Sequence, residues 1–184
     1  MNRTILSALV FIAGLCHACK ETPAKADDLT QTDSLADDSW YKALRQKIIT
    51  ESLKFDSTSI EPFEPDPSRQ VTNYFLGDRK QKMEMPSTDS TGGLVILYSK
   101  DGKLELRKEI CANGQVAFEG ITYEDHFYGL STWWHCNGQI REQGLRYRNK
   151  QIGSWKQWNE KGVLIKTTEH PDQHLLDSLR AMKL

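Results

Sequence analysis

The sequence has no dominant charge, since its 24 Lys and Arg residues nearly cancel its 25 Asp and Glu. That balance gives none of the basic surface that nucleic-acid binding needs, so no nucleic-acid partner is expected. The residual asymmetry is local. Residues 20–93 hold ten basic and fourteen acidic groups, and residues 94–168 hold eleven and eight. So small a positive excess does not make a phosphate-binding patch. There is no phosphate-binding glycine loop, no nucleophile elbow and no paired-cysteine zinc spacing. Cysteine is scarce, with four residues in all, two of them in the first nineteen. Histidine is scarce too. His170 and His174 have the i, i+4 spacing of two metal ligands, but Pro171 follows His170 and makes it a pre-helical or capping residue, so the pair reads as a solvated helix start. His135 and Cys111 fall two strands, roughly 10 Å, apart and cannot form a catalytic couple. The expectation is a non-catalytic protein with no metal and no cofactor.

What is present is a repeat. Gly129–Gly138 recurs as Gly153–Gly162, and the 24-residue offset also relates Gly114 to Gly138, Gly120 to Gly144, Tyr123 to Tyr147 and Trp134 to Trp158. A fixed period of this kind decides the fold before any local propensity does. Inside it, turn-forming pairs fall every 12 residues: Asp101-Gly102, Asn113-Gly114, Asp125-His126, Asn137-Gly138, Asn149-Lys150 and Lys161-Gly162. Asn-Gly and Asp-Gly between apolar runs signal hairpins. The spacing predicts strands of roughly 7–9 residues in an antiparallel meander, about seven of them over residues 94–168. Large apolar residues stand four before each turn glycine (Tyr98, Ile110, Trp134, Trp158) and two after it (Leu104, Val116, Ile140, Leu164). A three-residue loop with the glycine in the left-handed position sets these partners opposite one another on one inner face. A two-residue loop would set them on opposite faces.

The pattern G-x4-[YW]-x3-G-x-[ILV], with a second G-x2-Y, resembles the bacterial MORN-variant repeats found in YwqK-family antitoxins and in envelope proteins. The resemblance covers residues 93–168, and Glu105 departs from it where an opening glycine belongs. It implies a mainly β fold: an antiparallel meander of repeated β-hairpins in a MORN-like single sheet, with helices before and after it. The repeat is a scaffold, so function must come from a site. The resemblance also implies an alternative function, an antitoxin or immunity protein that binds and neutralises a toxin.

The start of the chain reads as an export signal. Arg3 supplies the charged region and residues 5–15 the apolar run, too short to cross a bilayer. The following Ala18-Cys19 resembles a bacterial lipoprotein signal, with Cys19 as the lipidated residue; an ordinary cleaved secretory signal is the other reading. The expected organisation is a signal over 1–18, a polar disordered tether over 19–38, an N-terminal helix and extended connecting segment over 39–93, the repeat domain over 94–168, and a C-terminal helix over 169–184. Trp40, Leu44 and Ile48 mark one face of the first helix. Leu175, Leu176, Leu179 and Met182 mark the last, which Pro171 starts. A one-sided sheet needs a cover, and these helices supply it.

Two expectations follow from the register. Cys111 is a strand residue and Cys136 a loop residue, two strands apart, so the geometry argues against a disulfide. Val95, Leu97, Trp133, Trp155 and Ile165 point to the outer face, with Trp134 and Trp158 in the core. Either that outer face is packed like the inner one, or it exposes an aromatic patch for a protein partner with Arg107, Arg141 and Gln157 at its rim. The partner-binding candidates are therefore Val95, Leu97, Trp133, Trp155, Arg107 and Arg141. The functional expectation is a lipid-anchored protein of the bacterial cell envelope, with an unknown protein partner and a membrane contact through its anchor.

Overall fold

The computed structural model describes residues 39–182, apart from 65 and 89–91. The expected signal, Cys19 and the tether lie outside the described residues. Ten strands form one antiparallel sheet whose spatial order is the chain order. They are β1 (Ser57–Phe63), β2 (Asp66–Leu76), β3 (Arg79–Met85), β4 (Gly93–Tyr98), β5 (Leu104–Ile110), β6 (Val116–Tyr123), β7 (His126–Trp134), β8 (Ile140–Tyr147), β9 (Lys150–Trp158) and β10 (Leu164–His170). Helix α1 (Ser39–Ser52) precedes the sheet and α2 (Gln173–Ala181) follows it. This is the mainly β meander with flanking helices that the repeat predicts.

The sheet begins before the repeat does. The period predicts strands only from Leu94, yet β1, β2 and β3 pair into the same sheet. The two prolines that fall in described strands here are tolerated because of where they lie: Pro62 is in β1, an edge strand, which can lack a donor, and Pro67 is near the start of β2, before its pairing with β3 begins at Thr72.

The loops follow two designs, one at each end of the strands. At one end, Gly114, Gly138 and Gly162 have φ of 84°, 87° and 75°. Their N–H groups donate to the carbonyls of Cys111, His135 and Asn159, each at 2.9 Å. That is the expected three-residue loop with its bulge, and it sets Ile110 opposite Val116, Trp134 opposite Ile140 and Trp158 opposite Leu164. The Gly102 loop lies at the opposite end of the strands, beside the Glu124-Asp125 turn, and is longer by one residue. Ser99 N–H donates to Leu104 O, so Tyr98 faces Glu105 rather than Leu104. At the other end, Glu124-Asp125 and Arg148-Asn149 all have positive φ, as two-residue type I′ turns require. These turns fall one residue earlier than the sequence spacing suggests.

Both helices lie on one face of the sheet, here called the helix face. Tyr41, Leu44 and Ile48 of α1 pack on Leu104, Leu106 and Ile121. Leu179 of α2 packs with Tyr128 and Ile152. Helix α1 comes close because Gly129 has no side chain: a Cβ there would stand 2.8 Å from the Trp40 ring. Asp172 caps α2, accepting from Leu175 N–H at 3.1 Å. Pro171 therefore sits just outside the helix rather than starting it.

Candidate interaction surface

The opposite face carries no helix among the described residues, and it is called the bare face here. Its residues are nevertheless buried. Val71, Leu94, Ile96, Phe118 and Trp155 are each 7% exposed or less. The repeat glycines explain how. Between the pairs Leu145–Ile152 and Gln143–Lys156, the single residue Gly144 faces Gly153, Ser154 and Trp155. A Cβ on Gly144 would lie 2.3 Å from atoms of the Trp155 ring. The indole therefore lies flat on the bare backbone, and its Nε1 donates to Leu145 O at 3.0 Å. Gly120 opens the same kind of space one repeat earlier, with Phe118 and Phe127 close above it.

The rings then form one layer. Phe118 meets Trp133 at 4.6 Å and Trp133 meets Trp155 at 5.9 Å between centroids. The Arg146 guanidinium lies over both tryptophans, at 5.2 and 5.3 Å, a favourable cation–π placement. Burial pulls the Arg146 pKa down and the Glu142 charge pushes it back. Nη1 donates to Asn149 O at 2.7 Å, but Nε is buried without a partner in the chain. Asn73 Oδ1 and Ser131 Oγ are the other two such atoms among the described residues. By strand alternation both stand on this face, Asn73 beside Met83 and Ser131 beside Gly144. Buried polar atoms are usually paired, so their collection on one face marks that face out.

The expected site is only partly assembled. Trp133 and Trp155 do meet, but Trp155 is 2% exposed and cannot be the exposed contact residue expected of it. Trp133 is half-buried. Arg107 is on the bare face, paired with Gly120 and Ile96, and 3.8 Å from Glu109. Arg141 is exposed at the bulge between Trp133 and Trp134. Val95 and Leu97 are not in the patch. Leu97 pairs with Leu106 and packs under α1, and Val95 shares its face two residues away. The Gly102 and Gly114 loops lie at opposite ends of β5, so Leu97 and Glu109, at the same distance before their turn glycines, fall on opposite faces of the sheet. Trp134 and Trp158 are half-buried and belong to none of the clusters under the helices. The core tryptophan of the repeat is Trp155, and Gly120 and Gly144 at one offset were the signal for a flat ring.

A disulfide joins Cys111 and Cys136, contrary to expectation, with Cα atoms 5.9 Å apart. Strand spacing alone overstates their separation because the loops lean along the sheet and stack on each other. Asn113 Nδ2 donates to Cys136 O at 2.7 Å, and Asn137 Nδ2 repeats the contact to Glu160 O at 2.9 Å. His135, at the position equivalent to Cys111, contacts Trp158 O at 3.0 Å through Nε2. The loop asparagines thus form a ladder, and the disulfide is its covalent rung.

On the helix face the sheet holds a charged clasp. Arg45 of α1 pairs with both carboxylate oxygens of Glu119, the Nη2 contact being 2.9 Å, and Lys108 lies 3.2 Å away. Burial alone would raise the Glu119 pKa, but the Arg45 hydrogen bonds and the Lys108 charge outweigh it and hold the carboxyl below its ordinary value. His170 ends β10 and His174 stands in the first turn of α2. Among the described residues no group of three or more His, Cys, Asp or Glu side chains is placed to hold a metal. Comparison with family models, with curated proteins and with solved structures returns no match.

Proposed function

We propose that this chain is a bacterial envelope lipoprotein whose MORN-variant repeat sheet is a non-catalytic module for protein interaction or structural support. The observation that carries the interaction reading is the bare face: no described helix covers it, and all three buried polar side-chain atoms unpartnered within the described chain stand on it. Trp133 is the half-buried middle ring of the aromatic layer on that face, Arg107 pairs with Gly120 at its side, and Arg141 stands exposed beside it. Tryptophan and arginine are the residues that most often dominate binding energy. The Cys111–Cys136 disulfide supports an oxidising compartment and therefore export. The anchor rests on Ala18-Cys19 in the sequence.

One experiment in the native host reads both halves. Cells expressing the full chain are given a fatty-acid label, and the chain is cross-linked and recovered. The expected result is label lost in Cys19→Ala, and one cross-linked envelope protein lost in Arg107→Glu plus Arg141→Glu. Label retained in Cys19→Ala overturns the anchor. Capture unchanged by the arginine reversals overturns the bare-face site. A toxin domain as the captured protein moves the reading to an immunity protein.

A further inference from the structure

The large apolar side chains that stay exposed among the described residues fall into two groups. Val163, Leu164 and Ile165 stand at the start of β10. Leu53, Phe55, Ile60 and Leu76, exposed by 68%, 51%, 66% and 36%, gather at the other edge of the sheet, around β1 and β2. Single apolar residues on a surface need no explanation, but a contiguous group does. This second group lies on the helix face. Tyr74 pairs with Lys82, and Lys82 with Leu97, which packs under α1. Alternation along β2 puts Leu76 on the same face, and Ile60 joins it by pairing with Thr72. The Phe55 ring stands 4.9 Å from that of Tyr74.

Packing within the chain does not account for these residues. Helix α1 lies over β3, β4 and β5. Its buried stripe runs through Tyr41, Leu44, Ile48 and Ser52, so Leu53 falls off it. Ile60 interrupts the polar start of β1. Each apolar group instead has a cation beside it. Lys54 separates Leu53 from Phe55, Arg79 pairs with Leu76, and Lys82 Nζ lies 4.4 Å from the centre of the Tyr74 ring. Three of the nearby acids are engaged: Asp56 accepts from Gly77 N–H at 3.0 Å, Glu84 pairs with Lys82 at 2.6 Å, and Glu51 accepts from Lys100 N–H at 2.7 Å. Asp78, exposed in the β2–β3 turn, is the exception.

We propose that this corner rests on the lipid bilayer, as a second membrane contact beside the anchor. Apolar side chains interleaved with long cationic ones suit a membrane surface. The leucine, isoleucine and phenylalanine side chains enter the boundary of the acyl region, while Lys54, Arg79 and Lys82 reach back to the phosphates. This contact builds on the lipoprotein reading above. Cys19 and Ser39 are 20 residues apart in sequence. A chain of that length, even fully extended, keeps the sheet within about 70 Å of the anchor. Held there, a surface contact too weak to recruit the protein from solution becomes effective.

The test places a photo-activated cross-linking amino acid at Phe55 of the full chain in cells of the native host. Val163, comparably exposed at the opposite edge, is the comparison position, and fatty-acid label is read on the same samples. The expected product is a phospholipid adduct from Phe55, with about a tenth as much or less from Val163. Leu53→Glu plus Ile60→Glu should reduce the Phe55 adduct by about tenfold or more. Both positions are exposed, so the fold should tolerate the change, and an unchanged thermal melt checks this. A labelled chain with no Phe55 adduct, or with equal adducts from both positions, overturns the membrane contact and leaves the anchor standing. An unlabelled chain that still gives the Phe55 adduct overturns the anchor and leaves the contact standing. Neither label nor adduct overturns both. A cross-link from Phe55 to a protein in place of lipid, or an adduct that survives the two glutamates, also overturns the proposal.

Discussion

The helix face and the bare face of one sheet are buried by different means. On the helix face, α1 and α2 bring side chains from outside the sheet to Leu106, Ile121 and Ile152. Ordinary knobs fill ordinary gaps there, and few glycines are needed. On the bare face the sheet covers itself. Rings packed over Gly120 and Gly144 remove one another from solvent, and Arg146 completes the layer. Burial therefore does not require a second layer of secondary structure when glycine lets an indole lie on the backbone. The cost is polar atoms without partners, and all three among the described residues fall on the self-covered face.

The most direct way to break this comparison is to remove the ring. Trp155→Ala should cost about 3–5 kcal/mol in a denaturant melt, as for a buried aromatic. Gly144→Val should be comparably damaging, because its side chain would enter the space the Trp155 ring occupies. A loss below about 1 kcal/mol for Trp155→Ala, the range of an ordinary surface change, would mean that the bare face is a surface and not a core.

The disulfide tests whether the stacked loops hold the strand ends of both faces together. It spans a sequence separation of 25, and chain entropy assigns a closure of that length about 3.5 kcal/mol. Cys111→Ser plus Cys136→Ser should lower stability by that amount while leaving the Asn113 and Asn137 contacts in place. Hydrogen exchange should then rise at the loops carrying Gly114 and Gly138 and stay unchanged at the Glu124 and Arg148 turns. Uniform exchange across both ends would show that the two loop sets are not independent.

The architecture was legible because turn glycines at a fixed spacing encode a meander directly. Even the three-residue loop followed from the positions of Trp134 and Ile140. Three things were not legible, each for a physical reason. The 12-residue period does not reach β1–β3, which have a different turn chemistry, so the period alone marks the sheet only from Leu94. The Gly102 loop lies at the opposite end of the strands from the Gly114 and Gly138 loops, which puts Leu97 on the face opposite to Trp133 although both stand five residues before their turn glycines. The contact between Cys111 and Cys136 depends on loops leaning along the sheet, a tertiary feature that strand spacing does not contain. Of the candidate site, the meeting of Trp133 and Trp155 was readable from the alternation. The burial of Trp155 was readable only by asking what Gly144 leaves room for.

The smallest expected effect separates the helix cover from the sheet beneath it. Arg45 ties α1 to the sheet through Glu119, while Glu51 of the same helix accepts from Lys100 N–H at 2.7 Å, and the Arg45 side chain is 36% exposed. A charge-assisted bond of this kind, discounted for solvent and for Lys108 remaining beside Glu119, is worth about 1–2 kcal/mol. Arg45→Ala should therefore weaken the docking of α1 without melting the strands. The same clasp sets an acid limit. The folded Glu119 carboxyl has a pKa held below its ordinary value of 4.5. Its contribution is complete above that ordinary value and is lost as pH falls through the lower folded value. Amide exchange in α1 should therefore rise at acid pH before exchange in β6–β9 does. In Glu119→Gln the carboxylate is absent, so this acid-dependent step should disappear and α1 should be weakly docked at neutral pH as well. An acid step that persists unchanged in Glu119→Gln would assign it to another carboxylate, and α1 and the sheet opening together at every pH would show that the cover is not a separable layer.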